Sequence, residues 1–450
     1  MQKLRLLLAC AVVLFATVPL TASAVPPAAA EATASFEYSQ NMHPLGFSPR
    51  EIPLANAEPG AGSFNSDLAF WGNTAVQGTY AGFRLIDVSA PAQPREIINW
   101  EECNSRNNTQ GNQGDIVIWG DILVRSWNSP APSGGSMCGD MPVAPGEEGV
   151  HIIDISDPTN PDVIAFVDLP CGSHTDTGVP DLANDRLILY SNPSGGVCPW
   201  IDIVEVPLSD PANPVYHGPL LGGRPCHDTG VILGDAMHMG CAGGNGFTLW
   251  TIDPADGASL TSPIQTASVS IPGVTIGHTA AWTWDGEIFV FGHEPGGGGQ
   301  AQCQATSSLV NRTLFFFDND GNQVGSFVQP RPQTATENCT WHNLNTVPTD
   351  KGYVLVSGNY QMGITVVDFT DPANAFQLAY ADPAPLVNPD NPAGIELGGD
   401  WSTYWYNGRI YESDITRGMM IWKLSDSAVA GAKKLPHLNP QTQEITIDLK

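Results

Sequence analysis

A short sequence pattern recurs seven times along this chain and limits what it can fold into. Each copy starts with a Gly or apolar residue, continues with β-branched or aromatic residues, and ends near an Asp that is often followed by Asp-Pro. The copies are GFRLIDVSAPAQP (82–94), GVHIIDISDPTNP (149–161), IDIVEVPLSDPANP (201–214), GFTLWTIDPADG (246–257), TLFFFDNDGNQ (313–323), GITVVDFTDPANA (363–375) and GMMIWKLSD (418–426). Each copy predicts a β-strand followed by a turn.

Two further strand-like runs precede each copy, such as DLAFWGN and TAVQGTY before the first. Helical periodicity is nearly absent. Three such strands and a connecting fourth, repeated seven times, predict an all-β fold, a single seven-bladed β-propeller over residues 61–426. Residues 25–60 and 427–450 are predicted extensions, one of which supplies the missing outer strand of the last blade. EITIDL (444–449) and SFEYSQ (35–40) are the candidates.

The seven copies resemble the LVIVD repeat, an apolar run that ends in Asp and is often followed by Asp-Pro. Two copies depart from the pattern, since Glu205 stands in place of the Asp in blade 3 and Lys423 in blade 7. The resemblance implies the propeller fold over essentially residues 61–426. It implies no particular activity, because a fold does not determine chemistry.

Residues 1–24 have the features of a secretory signal peptide. Lys3 and Arg5 form a basic start, an apolar run follows, and Ala22-Ser23-Ala24 offers a cleavage site. Cys10 lies inside the apolar run, so we favour ordinary secretion over a lipoprotein. No later apolar stretch reaches the roughly 18 residues of a membrane span. The mature protein is therefore expected to be secreted or periplasmic.

The formal net charge of −28 arises from 46 acidic and only 18 basic residues. Such a surface repels phosphate backbones and anionic lipids. We therefore expect neither a nucleic-acid nor a membrane partner. A monomer that binds a small molecule or another extracellular ligand is the expected state.

Eight cysteines remain after removal of the signal peptide, and an even number in an exported chain favours disulfides over zinc ligands. In a propeller, the start of the inner strand and the loop between the second and third strands open on the same face. That geometry predicts four pairs: Cys103–Cys138, Cys171–Cys198, Cys226–Cys241 and Cys303–Cys339.

Four histidines occupy equivalent places, at or just before the inner strand of blades 3 to 6. They are His174, His227, His278 and His342, in SHTDTG, CHDTGV, GHTAAW and WHNLNT. Convergent neutral imidazoles are ligands for iron, copper or zinc. The first of two open interpretations is therefore a divalent transition metal at the channel mouth, and the second is a site without a cofactor. The alternative is that each ring packs at the narrow centre and hydrogen-bonds a neighbour.

Other polar residues surround this predicted site. Equivalent aspartates in the remaining blades, together with those that follow the histidines, are predicted to be further ligands or to orient the rings: Asp67, Asp115, Asp176, Asp228 and Asp400. Asp176, Asp228 or Glu337 would hold the far ring nitrogens. In FGHEPGGGGQ, His293 is a further candidate for a ligand or for a residue that orients the rings. Glu294, the next residue, is the first choice of general base. Glu337 is the second choice.

Three functions remain open on the sequence alone. The favoured hypothesis is an exported propeller with a histidine-rich ligand- or metal-binding site at the channel mouth. The second is a metal-dependent enzyme, oxidative or hydrolytic, that uses the same site. The third is a structural or protein-interaction module. Trp341, Trp401, Tyr404 and Trp405, near the histidine strands, either line an apolar cavity or belong to the blade cores.

Overall fold

The computed structural model describes residues 25–50, 64–103, 113–193, 198–222 and 224–444. The predicted signal peptide (1–24) lies outside these residues. The described chain forms seven antiparallel sheets of four main strands each, and the predicted seven-bladed all-β propeller is confirmed.

The strands of each blade run from the central channel outward. In blades 1 to 3 they are Asn65–Trp71, Thr74–Thr79, Gly82–Asp87 and Arg95–Trp100; Ile116–Trp119, Ile122–Trp127, Gly149–Asp154 and Asp162–Asp168; and Thr175–Asp181, Arg186–Asn192, Ile201–Pro207 and Val215–Leu220. In blades 4 and 5 they are Asp228–Leu233, His238–Gly243, Gly246–Thr251 and Ile264–Ser270; and Gly277–Trp282, Phe289–His293, Thr313–Phe317 and Gln323–Val328. In blades 6 and 7 they are Leu344–Thr346, Val354–Gly358, Ile364–Asp368 and Phe376–Asp382; and Asp400–Tyr406, Arg409–Asp414, Gly418–Leu424 and Met42–Pro49.

The seven inner strands form a closed ring, in which each contacts the inner strands of the two neighbouring blades. Buried aliphatic and aromatic side chains fill the spaces between adjacent sheets. A second hairpin, Ser136–Cys138 with Met141–Val143, stands in the loop of blade 2. Short 3-10 turns occur at Leu182–Asn184, Pro254–Asp256, Leu309–Arg312, Pro372–Asn374 and Ser427–Val429.

The Asp that ends most repeats forms the turn between the third and fourth strands. Asp87 accepts a hydrogen bond from the backbone N–H of Ser89 at 2.9 Å, and Asp154 accepts one from Ser156 at 2.7 Å. Asp side chains favour such turns because they mimic a backbone turn two residues ahead. A register shift also interrupts the pairing of these two strands in every blade. The repeated pattern therefore encodes the outer edge of a blade.

The N-terminal extension closes the ring. Met42–Pro49 pairs antiparallel with Gly418–Leu424 as the outer strand of blade 7. The predicted candidate 35–40 is therefore wrong, because the closing strand begins two residues after it. Within that candidate, Glu37–Tyr38 pairs with the outer strand of blade 6. The other candidate (444–449) lies almost wholly outside the described residues. A short helix, Pro27–Ala32, packs beside the closing strand.

The C-terminal segment crosses the end of the channel opposite to the histidines. His437–Leu438 pairs antiparallel with the end of the inner strand of blade 1, and Thr442–Glu444 pairs parallel with that of blade 4. Between them, Asn439 exchanges two hydrogen bonds of 2.9 Å with the backbone of Ile118 in blade 2. Thr442 Oγ1 also donates to the carbonyl of Gly178 in blade 3 at 2.9 Å, so the segment joins the inner strands of four blades.

All four predicted disulfides are confirmed. Their Cα–Cα separations lie between 3.8 and 6.4 Å, below the roughly 7 Å beyond which two cysteines cannot be bridged. Three of them join loops of the histidine face, and Cys226–Cys241 joins the loop before the inner strand of blade 4 to the second strand of that blade. No helix among the described residues is long and apolar enough to cross a membrane.

Candidate functional site

The four predicted histidines lie side by side at one end of the channel. Consecutive ring centroids are 4.6 Å apart for His174 and His227, 3.8 Å for His227 and His278, and 4.4 Å for His278 and His342. The inner strands of blades 3 to 6 start at this level, and each start contributes one ring. We call these four residues the histidine row.

Threonine hydroxyls hold the row together. The Oγ1 atoms of Thr175 and Thr279 donate to the backbone carbonyls of His227 and His342, each in the next blade. An inner strand has an unpaired edge toward the channel, so its carbonyls need such partners. These bonds fix the height of neighbouring histidines relative to each other.

Glu294 stands against the middle of the histidine row. Its two carboxylate oxygens lie 3.7 Å from Nε2 of His278 and 3.6 Å from Nε2 of His342. Potential ligand atoms of His227, His278 and Glu294 all lie within 4.8 Å of one another. These three residues form one group, and His174 and His342 flank it. The phenol of Tyr360 donates to Oε1 of Glu294 at 2.6 Å.

The hydrogen bonds of two rings define their tautomers. Nδ1 of His342 lies 2.5 Å from the carbonyl oxygen of Trp401, which can only accept, so Nδ1 carries the proton. Nδ1 of His278 lies 2.9 Å from the Thr279 hydroxyl, whose own proton goes to the carbonyl of His342. His278 therefore also donates from Nδ1. In both neutral rings Nε2 therefore carries the lone pair, and this atom lies within 3.7 Å of a carboxylate oxygen of Glu294.

The other two rings differ. Nδ1 of His174 accepts from the side-chain amide of Asn128 at 2.7 Å. Nδ1 of His227 is buried without a hydrogen-bond partner. A buried, unpartnered ring nitrogen costs free energy unless something binds it. His227 thus has an open ligand position at Nδ1, in addition to the Nε2 atoms of His278 and His342.

Burial determines the charge of the site. It lowers the pKa of His174 to about 4 and that of His342 to about 3, and it lowers the pKa values of His227 and His278 well below their ordinary range. Burial raises the pKa of Glu294 to about 7, which the Tyr360 hydrogen bond partly offsets. At neutral pH the rings are uncharged, and uncharged imidazole is the form that binds metals.

The predicted ring-orienting carboxylates have other partners. Asp67 accepts from the phenol of Tyr404 at 2.6 Å, Asp115 accepts from the backbone N–H of Asp176, and Asp176 accepts from Ser191. Burial raises the pKa values of Asp176 and Asp228 to about 7. The prediction that Asp176, Asp228 or Glu337 holds a far ring nitrogen is wrong for His278 and His342. A hydroxyl and a backbone carbonyl lie closer to these rings.

Three predicted residues lie apart from the row. His293 is buried, and its Nε2 accepts from the backbone N–H of Thr275 at 3.1 Å. Glu337 accepts from the backbone N–H of Thr334 at 2.7 Å and so braces a loop. Asp400 turns into blade 7, where it groups with Glu412 and Asp414. Arg417 contacts the latter two at 2.9 and 2.6 Å and offsets their charge.

A cavity of about 700 Å³ opens above the histidine row. Glu294 and all four row histidines belong to its wall, together with Phe64, Tyr80, Tyr360 and Trp401. Of the aromatic residues singled out from the sequence, Trp401 lines this cavity, whereas Trp341, Tyr404 and Trp405 are packed in the blade cores. Sequence reasoning missed Tyr360, which occupies a tight turn with a φ of 55°.

A second space of about 20 Å³ is bounded by the same four rings, by Asp115 and Asp228, and by Gln441 of the C-terminal segment. It has room for about one water molecule. Since Gln441 belongs to the segment that closes the far end of the channel, this space lies on the channel side of the row. The row therefore separates a wide outer cavity from a small inner one.

Comparison with known proteins identifies the repeat. The LVIVD repeat family model matches residues 143–168, which include the third and fourth strands of blade 2. No curated protein matches the chain. The match supports the architecture, while any function must be argued from the site.

Proposed function

We propose that this seven-bladed β-propeller, which carries an LVIVD repeat, binds a divalent transition metal ion through His227, His278 and Glu294. The observation that carries the proposal is the grouping of two imidazoles and one carboxylate within 4.8 Å of one another. Metal bonds of about 2.0–2.2 Å need only small side-chain movements from this arrangement.

The donor set suits iron or zinc. Two neutral histidines and one carboxylate leave open positions on the ion, as in non-haem iron sites and catalytic zinc sites. Copper is a further candidate, since imidazole binds it well. Tyr360 occupies Oε1 of Glu294, so that Oε2, the oxygen nearer His278, remains available. The unpartnered Nδ1 of His227 also supports metal binding at this site. His342, beside Glu294, is a further candidate ligand.

The open positions of such an ion would face the cavity of about 700 Å³. A ligand in that cavity would then reach the metal directly, and this is the feature that supports a metal-dependent enzyme as the second candidate function. When bound, the metal would polarise a ligand oxygen as a Lewis acid. In that case Glu294 serves as a ligand and its role as a general base is withdrawn.

We further propose that the protein works outside the cytoplasm. Four disulfides are typical of proteins that fold in an oxidising compartment. The signal-like segment in residues 1–24 of the sequence supports the same proposal.

Metal analysis tests the proposal. Protein stripped with a chelator should take up about one Co²⁺ per chain, with visible absorption bands that report nitrogen and oxygen ligands. His227→Ala, His278→Ala and Glu294→Gln should each lose most of this uptake. His43→Ala, which removes an exposed histidine from the outer strand of blade 7, is the matched control. Full Co²⁺ uptake by all three site variants would refute the proposal.

A further inference from the structure

The cavity above the histidine row has walls of two kinds, and their chemistry restricts what it can hold. Its volume of about 700 Å³ lies within the range of small-molecule sites. The C-terminal segment closes the opposite end of the channel, so a ligand enters from the histidine face.

One side of the cavity is aromatic. The rings of Phe64 and Tyr80 pack edge to face at 5.5 Å, Tyr80 packs on Trp401 at 6.0 Å, and Trp401 packs on Tyr360 at 6.3 Å. These residues come from blades 1, 7 and 6, which are neighbours in the ring. Contiguous rings held edge to face present both ring edges and ring faces, which pair favourably with another aromatic ring.

The opposite side is aliphatic. Pro193, Pro225 and Ile276, from the loops of blades 3 to 5, belong to the cavity wall there. On the aromatic side, Leu397 of the segment before blade 7 packs against these rings, and Ile395 of the same segment is exposed. The polar groups are concentrated at the histidine row and Glu294. A bound molecule would therefore place an apolar body between the walls and a polar end at the row.

The charge of the wall disfavours anions. Within the part of the chain that the structure describes, the cavity wall contains no Lys or Arg. Its carboxylates are Glu294 and Glu396, and the whole chain carries a net charge of −28. Without a bound metal ion, an anion would lose its hydration here and gain no Lys or Arg partner from this wall.

We propose that this cavity binds an uncharged aromatic molecule that directs a single hydroxyl or carbonyl oxygen to the histidine row. The inference rests on the proposed function only for the partner of that oxygen. This partner is the metal ion if one is bound, and the imidazoles and Glu294 if none is bound. The affinity of the apolar body comes from the aromatic wall and does not depend on metal.

Three probes of one shape separate the contributions: 2-naphthol, 2-naphthoate, and the saturated decahydro-2-naphthol. Binding is measured by calorimetry at neutral pH, once with chelator and once with Co²⁺. We expect 2-naphthol to bind one site per chain in both conditions. With chelator present, the 2-naphthoate anion should bind at least about tenfold more weakly than 2-naphthol, and in both conditions the saturated alcohol should bind several-fold more weakly. Equal or tighter binding of 2-naphthoate in the presence of chelator would overturn the inference.

Variants place the probe in the cavity. Trp401→Leu and Phe64→Leu should each weaken 2-naphthol binding about fivefold or more. Trp284→Leu is the matched control, since Trp284 lines a separate groove between blades 5 and 6 and should leave binding unchanged. If one of the two variants folds poorly, the other still tests the proposal. Unchanged 2-naphthol affinity in a folded variant of either residue would overturn the inference.

The outcomes for metal and ligand are independent. If 2-naphthol binds with the expected preferences and Co²⁺ does not bind, the ligand class stands and the metal proposal fails. If Co²⁺ binds through the row and 2-naphthol does not bind, the metal proposal stands and the ligand class fails.

Discussion

At the scale of single residues, the site depends on side chains that satisfy the free edges of the inner strands. Thr175 and Thr279 bond to carbonyls of neighbouring blades at the level of the histidine row, and Thr177 does the same one step deeper, to the carbonyl of Thr229. Each bond joins two blades and fixes the height of the ring beside it. The histidines can therefore be uncharged and buried without losing their positions.

His151 offers a residue-scale prediction away from the site. It is buried in blade 2 between Trp127 and Phe166, with ring centroids at 5.2 and 4.6 Å, and neither ring nitrogen has a hydrogen-bond partner. Burial, and secondarily the charge of Arg125, lowers its pKa from 6.5 to about 3. Below pH 6.5 the unfolded chain binds a proton here that the folded chain does not. The stability that the uncharged ring contributes is therefore fully present above pH 6.5, and it is lost as the pH falls from 6.5 toward 3.

His151→Phe should remove this loss, because Phe fills a similar space and does not titrate. Between pH 6.5 and 5 the wild type should lose about 2 kcal/mol of unfolding free energy that the variant keeps. Urea unfolding across this pH range measures the difference. His43→Phe, at an exposed position, should follow the wild type. Identical pH profiles for His151→Phe and wild type would contradict the prediction.

The repeat made the histidine row foreseeable, because it marks where each inner strand begins. Tyr360 and the carbonyl of Trp401 were not foreseeable. Tyr360 reaches Glu294 across 66 residues of sequence from a turn with positive φ, and no local pattern signals that contact. A backbone carbonyl as the partner of His342 leaves no trace in the sequence at all. The histidines could be read from spacing, but their partners depend on tertiary structure.

At the scale of elements, the disulfides were predictable and the closing strand was not. The pairing of the cysteines follows from which loops share a face, and that is a property of the blade. Met42–Pro49 reads MHPLGFSP, with two prolines and a glycine, which argue against a strand. Proline is tolerated there because an outer strand has one unpaired edge. Only the alternating burial of the folded strand reveals its role.

Gly46 provides the element-scale prediction. A Cβ atom at this position would stand 1.9 Å from the backbone oxygen of Pro91 in blade 1. Gly46→Ala should therefore force the closing strand away from blade 1 and lower the unfolding free energy by about 1–3 kcal/mol. Chemical denaturation measures the change. Gly134→Ala is the control, since a Cβ there meets nothing within 4 Å. Equal stability of the two variants would show that the strand adapts freely.

At the scale of the whole molecule, both ends of the chain complete the propeller in different ways. The N-terminal strand closes the ring of blades, and the C-terminal segment closes one end of the channel. The second role could not be read from the sequence, because HLNPQT lacks any strand or helix periodicity. Its order comes from the free edges of inner strands, and from His437, which stacks on Trp71 at 4.8 Å and bonds Glu444 at 2.9 Å.

Asn439 tests whether this closure stabilises the whole propeller. Its side chain accepts from the N–H of Ile118 and donates to the carbonyl of the same residue, so it acts as one rung of a sheet. Asn439→Asp keeps the shape, loses the donor, and places a carboxylate against a carbonyl oxygen. Because the site is buried, the unfolding free energy should fall by about 2–3 kcal/mol.

The matched control for this closure is Asn160→Asp, which makes the same chemical change at an exposed turn and should alter stability by less than about 0.5 kcal/mol. Hydrogen exchange adds a local measurement. Repulsion between the carboxylate and the Ile118 carbonyl oxygen should open this contact, so the amide of Ile118 should exchange faster in Asn439→Asp and at an unchanged rate in the control. If Asn439→Asp is as stable as Asn160→Asp and the Ile118 amide stays protected, the segment only rests on the channel. If the unfolding free energy and the exchange rate of Ile118 both change as expected, the C-terminal segment stabilises the propeller. It does so from the end of the channel opposite to the histidine row.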